Sequence, residues 1–258
     1  MTTLAVRSFR YWALRYRRQW VEGLVVSFAQ PVLYLGAVGF GLGHLVDANR
    51  PETLAGVRFA AYVAPGLLAA AAMQTAARDS SWPIVAAIRE KYTYQAMLAT
   101  PLGVADVLIG HLVWTATRIG IAAAAYFVVV AGFGLVAAPI GVLAVPAAVL
   151  TGVAVAAPLM AHSATIGGDD QALALIERLV IVPMFLLSGT FFPVSQLPIW
   201  LRLVAYATPL WHGAELCRAL LLDRFYAGAD LLHVAYLIAF AAVGTLVALH
   251  TYRRRLVT

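Results

Sequence analysis

"LLSGTFFPVSQLPIWLRLVAYATPLWHGAELCRALLL", residues 186–222, is apolar enough to enter a membrane, and yet prolines interrupt it. Pro193 comes after a run that can form a spanning helix, and Pro209 divides the remainder of the stretch into two pieces. Each piece has about a dozen residues, whereas a helix needs about 20 to cross a hydrocarbon core of ~30 Å. The segment therefore predicts a turn at Pro193 and then two short apolar helices on one side of a membrane.

The composition of the whole chain is that of an integral membrane protein. Of its 258 residues, 62% are hydrophobic and 12% are charged, whereas soluble domains carry about 25% charged residues. Residues 119–168 include no Asp, Glu, Lys or Arg, and a stretch of that length accommodates two consecutive spans of about 20 residues each. We therefore predict an all-α polytopic membrane protein.

Apolar stretches of spanning length occur six times along the chain. They predict transmembrane helices at about 24–43, 59–77, 107–131, 140–161, 175–192 and 231–249. Pro65-Gly66 is expected to interrupt the second of them. The charged connector at 78–105 is the longest between spans, and the proline-interrupted segment occupies 193–224. Residues 23–258 are thus predicted to form one transmembrane domain.

Residues 1–22 form a separate element before the first span. Arginines fill one side of a helix drawn through them, and aromatic residues such as Phe9, Trp12 and Tyr16 fill the other side. Opposed basic and aromatic faces are typical of a helix that lies in the headgroup plane of a membrane. The alternative is a disordered basic tail, which the regular aromatic spacing disfavours.

The distribution of arginine predicts the orientation of the chain. Six spans place both termini on one side, and five arginines near the N-terminus and three near the C-terminus indicate that this side is the cytoplasm. The connector at 78–105 is then cytoplasmic, and the segment 193–224 lies on the outer face. The net charge of +6 is concentrated beside apolar spans, which indicates a plasma or inner membrane surface rather than a nucleic-acid partner.

Several motifs resemble those of one membrane protein family. "IREKYTYQAMLATPLGVADVLIG" (residues 88–110) resembles the segment that joins the second and third spans of ABC-2 type exporter permeases. Residues 186–222 are similar to the C-terminal signature of that family, and "FAQPVLYLGAVGFGLG" (28–43) and "RRRL" (253–256) add further matches in the same order. The resemblance covers nearly the whole chain and is closest to the nodulation-type lipo-oligosaccharide export permeases, followed by the daunorubicin-resistance type.

This resemblance implies the transmembrane subunit of an ATP-driven exporter. The cargo would be amphipathic: a lipo-oligosaccharide, a lipid-linked glycan or a hydrophobic drug. The chain has no G-x-x-x-x-G-K-[ST] phosphate-binding loop, and its only lysine is Lys91, so it is not expected to be an enzyme. We expect no cofactor in this chain, with ATP and Mg bound by a pair of separate ATPase subunits. A second permease chain, identical or related, would meet it through span 1 or span 5.

The resemblance also implies where a partner ATPase docks. The coupling residues would be Ile88, Arg89, Glu90, Lys91, Tyr92, Tyr94 and Met97. They would lie on a short helix over residues 84–98, with the N-terminal amphipathic helix alongside. On composition alone, a solvated connector between two spans explains the same residues equally well.

Two further sets of residues are implied by the family pattern. The translocation path would include Gln30, Arg118, Tyr126, Phe191 and Phe192. A re-entrant hairpin that caps the outer end of the path would use Pro193, Leu197, Pro198, Pro209, Leu210 and Arg218. Arg118 has two interpretations, because a charge inside a span is costly unless it is solvated or paired. Either it faces an internal cavity, or the span begins near Leu112 and the side chain reaches the interface.

Two other classes of function remain open. An ion-coupled carrier usually needs acidic groups within its spans, and mid-span acids are essentially absent from the predicted spans. A membrane enzyme would need a catalytic cluster, and none is evident. The six histidines are scattered singly along the sequence and lack the spacing of a metal site, so no metal is expected.

Overall fold

The computed structural model describes residues 4–17, 20–49, 57–166 and 170–257, and all regular structure within these ranges is helical. The helices are α1 (Ala5–Tyr16), α2 (Trp20–Tyr34), α3 (Gly43–Asn49), α4 (Phe59–Ser80), α5 (Trp82–Arg89), α6 (Thr93–Leu98), α7 (Val104–Gly132), α8 (Ala144–Thr165), α9 (Asp170–Ile176), α10 (Val182–Leu187), α11 (Ile199–Tyr206), α12 (Pro209–Leu221) and α13 (Ala227–Leu256). π-Helical turns at Leu35–Leu42 and Glu177–Ile181 join neighbouring helices without a break, and short 3-10 turns lie at Pro139–Leu143 and Val194–Gln196. The predicted all-α class is confirmed.

Within the described residues, five helical stretches are long and apolar enough to cross a membrane. They are Ser27–Ala48, Phe59–Arg89, Val104–Gly132, Pro139–Thr165 and Ala227–Leu256. The shortest has 22 residues, which correspond to ~33 Å of α-helix and therefore suffice for a core of ~30 Å. These stretches match the first, second, third, fourth and sixth predicted spans, and the protein is a multi-pass membrane protein.

The predicted fifth span, 175–192, differs from the other five. The chain is helical from 170 to 187, and this stretch carries three charged residues, Asp170, Glu177 and Arg178. The helix ends at Leu187, five residues before the predicted boundary, because Gly189 adopts a left-handed conformation with φ of +75°. A residue in that conformation cannot continue a right-handed helix.

The predicted interruption of the second span at Pro65-Gly66 is wrong. Helix α4 continues through Pro65 without a break. A proline in a helix removes one backbone hydrogen bond, and here tertiary packing outweighs that loss because α4 is buried among α7, α8 and α12 along most of its length. Gly66 contributes to this packing, since a Cβ atom there would lie 2.9 Å from the Cα of Thr190.

One end of the bundle, which we call the terminal end, carries both α1 and the last turns of α13. Helix α1 packs against the first half of α7, where the Ser8 hydroxyl donates to the Val107 carbonyl (3.2 Å). The ends of α4 and α8 meet nearby through a hydrogen bond from Ser163 Oγ to the Ser80 carbonyl (2.7 Å). The first helix, the end of the last helix, and the helices α5 and α6 therefore all lie at the terminal end of the bundle.

The opposite end, which we call the hairpin end, is formed around α11 and α12. Helix α12 begins at Pro209 and is capped by Thr208, whose Oγ1 accepts from the Trp211 amide (3.3 Å). It packs between α4, α8 and α13, and the sulfur of its buried Cys217 lies 3.7 Å from the Ala144 carbonyl oxygen. Helix α11 begins directly after Pro198, so two short helices start where the prolines predicted them.

The connector at 78–105 is more ordered than the sequence indicated. Helix α4 continues to Ser80, and two helices, α5 and α6, come after it. The expectation of one helix over 84–98 is therefore wrong. The break occurs at Tyr92, which has φ of 47° and ψ of 30° and so lies in the left-handed region.

Candidate coupling surface, groove and hairpin

The turn between α5 and α6 projects from the terminal end, and we call residues 89–92 the tip. The Lys91 amide donates to the Ala86 carbonyl (2.9 Å), and Gln95 Nε2 donates to the Ile88 carbonyl (2.7 Å), which together close the turn. Tyr92 is 62% exposed at its apex. A tyrosine in the left-handed region is strained, because its Cβ crowds the backbone, so the packing around the tip holds an unfavourable conformation in place.

The structure divides the seven predicted coupling residues into two groups. Glu90, Lys91 and Tyr92 are exposed, and Arg89 is half-buried. The other three, Ile88, Tyr94 and Met97, are buried. These three cannot present their side chains to a protein that docks on the tip, and they instead fill the space between the tip and the long helices.

A cluster of four rings lies beneath the tip, and we call it the aromatic cluster: Trp12, Tyr94, His111 and Tyr252. The Tyr94 hydroxyl lies 2.5 Å from His111 Nδ1, and the Trp12 ring stacks on His111 at 4.0 Å. The rings of Tyr94 and Tyr252 are 5.6 Å apart. Burial raises the pKa of Tyr94, so its hydroxyl stays protonated. The cluster joins α6 to α1, α7 and α13.

A groove of about 780 Å³ separates α4 from the helical stretch 170–187. Its lining is mainly apolar, and its polar side chains are those of Gln74, Arg78, Ser81 and Glu177. Phe185 lies at one end of the groove. Wide apolar clefts with a few polar groups are the usual form of a site for an amphipathic ligand. We call this cleft the lateral groove.

Two of the predicted path residues, Tyr126 and Phe191, lie next to the lateral groove through Phe185, which lines it. Phe185 makes an edge-to-face contact with Phe191 (5.1 Å between ring centres) and also lines a small neighbouring cavity with Tyr126. Phe192 is half-buried and lies in the segment between α10 and the 3-10 turn at Val194–Gln196. The side chain of Gln30 lies outside the described part of the chain.

Arg118 lies apart from the other predicted path residues. Its Nη1 pairs with Asp79 Oδ1 at 3.0 Å, and its guanidinium lies 4.5 Å from the centre of the Tyr16 ring. The side chain is 29% exposed and lines a different cavity of about 290 Å³ beside α2, α4 and α7. Sequence reasoning missed Asp79, although an acid near the end of a predicted apolar span was a usable signal.

Arg218 holds the hairpin end together. Its guanidinium donates to the Gly189 carbonyl (2.8 Å) and the Tyr62 carbonyl (3.4 Å), and it pairs with Glu215 at 2.5 Å. Arg218 is only 7% exposed. It therefore fastens α12 both to α4 and to the turn at the end of α10.

The other predicted hairpin residues form the turns around this point. Pro193 and Leu197 flank the 3-10 turn, and Pro198 precedes α11. Pro209 and Leu210 open α12 and are buried. The structure thus places all of them in or beside the two short helices.

A histidine pair between α12 and α13 was not foreseen from the sequence. Nδ1 of His212 and Nδ1 of His233 lie 2.8 Å apart, and the His212 ring stacks on Tyr236 at 3.8 Å. The two histidines belong to different helices, so no local spacing signalled the contact. In the described ranges, no group of three or more His, Cys, Asp and Glu side chains is arranged to hold a metal ion.

Comparison with known proteins identifies the family. A family model described as "ABC-2 type transporter" matches residues 2–222. Nodulation protein J of Sinorhizobium fredii is 31% identical over 245 residues, which are 95% of this chain and 91% of the relative. The Nodulation protein J of Rhizobium leguminosarum bv. viciae is 32% identical over 243 residues (94% and 91%), and that of Neorhizobium galegae is 30% identical over 252 residues (95% and 94%). This chain belongs to the ABC-2 type transporter family.

Proposed function

We propose that this chain is the transmembrane permease subunit of an ATP-binding cassette exporter that moves an amphipathic cargo out of the cytoplasm. The observation that carries the proposal is its membership of the ABC-2 family over nearly its full length. Its 258 residues contain no nucleotide-binding loop. The energy would then come from separate ATPase subunits, which bind ATP and Mg.

The tip is the contact that these ATPase subunits would make. It offers Glu90, Lys91 and Tyr92 on the surface, and Arg89 beside them. Movement of the tip would reach the spans through the aromatic cluster, because Tyr94 contacts both His111 on α7 and Tyr252 on α13. Ile88 and Met97 would act by supporting the tip rather than by contacting the partner.

The lateral groove is the part of the path that this chain would supply. In this proposal the helical stretch 170–187 is a sixth span, and two permease chains face each other across their grooves. Large apolar side chains are exposed on both α2 and this stretch: Val25, Phe28, Val32, Leu33, Leu175, Leu179, Val182 and Leu186. In this proposal a second copy or a related permease covers those that face its groove, and lipid covers the rest.

The helices α11 and α12 would form a re-entrant hairpin in the outer leaflet. Helix α11 exposes Ile199, Trp200 and Leu203, each by more than 60%, which suits contact with lipid. Arg218 would anchor the hairpin. The shared terminal end carries arginines of both α1 and α13, so we propose that both termini lie in the cytoplasm and that the protein resides in the plasma or inner membrane.

The proposed cargo class rests on likeness to relatives and on the lining of the lateral groove. The relatives are named for nodulation, and the resemblance of the motifs favours a lipo-oligosaccharide or a lipid-linked glycan over a hydrophobic drug. The apolar lining of the lateral groove, with Gln74, Arg78 and Glu177 among it, suits a molecule with both apolar and polar parts. Affinity purification from the native membrane would identify the co-eluting ATPase and any bound lipid or saccharide.

Charge reversal at the tip tests the proposed function. In vesicles that contain the permease and its co-purified ATPase, Lys91→Glu combined with Arg89→Glu should uncouple ATP hydrolysis from export and weaken retention of the ATPase. Arg58→Glu, an exposed charge before α4 at the hairpin end, is the matched control and should change neither. Full export and full ATPase retention in the tip variant would contradict the proposal.

An ion-coupled carrier is the second candidate, and two observations favour keeping it. Asp79 is buried within the long helical stretch 59–89, and His212 meets His233 between two helices. Titratable groups inside a membrane protein can carry protons. Transport that persists after ATP depletion but stops when the proton gradient is collapsed would favour this class over the exporter.

A further inference from the structure

A polar cavity beside α2, α4 and α7 lies next to the C-terminal end of α1, and Arg78 separates it from the lateral groove by lining both. It has a volume of about 290 Å³. Its polar lining consists of Tyr16, Ser27, Thr75, Arg78, Asp79 and Arg118. Two arginines and three hydroxyl groups thus surround one carboxylate. We call this space the arginine cavity.

The charge of the arginine cavity is positive. Asp79 neutralises Arg118 through the 3.0 Å ion pair, which leaves the charge of Arg78 in excess. A smaller adjoining cavity of about 110 Å³ shares Tyr16, Asp79 and Arg118 with it and adds Arg15. Among the described residues that line these two spaces, one carboxylate therefore faces three arginines, a net charge of +2. Guanidinium groups bind phosphate through paired, charge-assisted hydrogen bonds.

The cavity also lies where phospholipid headgroups are expected. Helix α4 begins at Phe59 at the hairpin end, and Asp79 comes 20 residues later, or ~30 Å along the helix. Because a hydrocarbon core is also ~30 Å thick, a core that begins at Phe59 ends near Asp79 and the cavity. The amphipathic helix α1 packs against the first half of α7, and the Tyr16 and Trp114 rings meet there (5.6 Å). Tyrosine and tryptophan concentrate at membrane interfaces. Further along α7, Ile121 and Ala122 give the cavity an apolar wall.

We propose that the arginine cavity binds the phosphate group of an anionic membrane phospholipid. Arg78 and Arg118 would donate to the phosphate, and Ile121 and Ala122 would contact the first carbons of an acyl chain. Basic pockets between transmembrane helices are known to hold anionic headgroups. The bound lipid would join α2 to α4 and α7 and would support the end of α1. Arg78 lines both this cavity and the lateral groove, so the test below measures lipid binding in the absence of cargo and ATPase.

The proposal is tested by lipid binding to the purified full-length chain in detergent, measured by native mass spectrometry. Phosphatidylglycerol and phosphatidylcholine with identical acyl chains are the probes, and we expect one tightly held phosphatidylglycerol per chain. Arg78→Gln should weaken its binding ~10-fold, the effect of losing one charge-assisted hydrogen bond. Arg58→Gln removes an exposed arginine just before the same helix and should leave binding unchanged.

A second variant predicts a change of opposite sign. Asp79→Asn removes the carboxylate that repels phosphate and engages Arg118, so phosphatidylglycerol should bind more tightly. Equal binding of the two lipids, equal losses in Arg78→Gln and Arg58→Gln, or displacement of the lipid by inorganic phosphate at matched concentration would overturn the proposal. The last result would show a site for phosphate alone.

Discussion

The guanidinium carbon of Arg218 lies 4.1 Å from the centre of the Tyr62 ring, although the two residues are 156 positions apart in the chain. The contact joins the C-terminal half of α12 to the first turn of α4. The same guanidinium also reaches the Gly189 carbonyl. One buried arginine thus ties α12 both to α4 and to the turn after α10.

Replacing this arginine by lysine should lower the stability of the protein. Arg218→Lys keeps the charge but loses the planar fork that serves two carbonyls and Glu215 together. We expect the free energy of unfolding to fall by about 2 kcal/mol, measured by thermal or denaturant unfolding in detergent. Arg58→Lys, at an exposed position, is the control. Equal stability of the two variants would show that the contact contributes nothing.

Gly66 should not accept a larger residue. A Cβ atom there would lie 2.9 Å from Thr190 Cα and 3.0 Å from its carbonyl oxygen, and backbone atoms cannot rotate away. Gly66→Ala should therefore cost about 1–3 kcal/mol of stability. Gly132→Ala is the matched change, because no atom lies within 4 Å of the added methyl group. Unfolding curves of the two variants that coincide would contradict the close approach.

The position of α1 depends on Gly110. A Cβ atom at this position would lie 2.6 Å from the Ala5 carbonyl oxygen and 2.5 Å from Ser8 Cβ, so Gly110→Ala should push α1 away from α7. We expect trypsin to cleave more rapidly after Arg7 and Arg10, the exposed arginines of α1. Gly120→Ala, on the same helix with its nearest neighbour at 3.6 Å, should leave the cleavage rate unchanged.

At the tip, stability and transport should respond in opposite directions. Tyr92→Gly relieves the left-handed strain, which is worth about 1 kcal/mol, but removes the exposed ring. We expect a more stable protein with reduced ATPase coupling, measured as export per ATP hydrolysed. Asp223→Gly relieves a similar conformation (φ of 55°) far from the tip and should keep full coupling. A fully coupled Tyr92→Gly variant would argue against a direct contact.

Features that depend on local sequence were predictable. Apolar runs gave the five long helices, and prolines marked the starts of α11 and α12. Pro198 immediately precedes α11, and Pro209 is the first residue of α12, where the amide that proline lacks would be unused. The charged residues Glu90 and Lys91 of the predicted connector are exposed, as their polarity indicated. In each case the cause lies within about twenty neighbouring residues.

Features that depend on contacts between distant segments were not predictable. The break at Tyr92 has no local signal, since tyrosine does not favour the left-handed region. The persistence of α4 through Pro65 reflects packing by helices that come much later in the chain. The pairing of Asp79 with Arg118, 39 positions away, likewise depends on the fold. The sequence shows that Arg118 lies in a predicted span, but it does not show which acidic group neutralises the charge.

The burial of Cys217 has a practical consequence. It is the single cysteine of the chain, it is wholly shielded from solvent, and its thiol faces the start of α8. Maleimide reagents should therefore not label the wild-type protein. Engineered thiols on α1, at the tip or along α11 could then be tagged with spin or fluorescent probes without first stripping the native one, which makes the movements of these elements directly measurable.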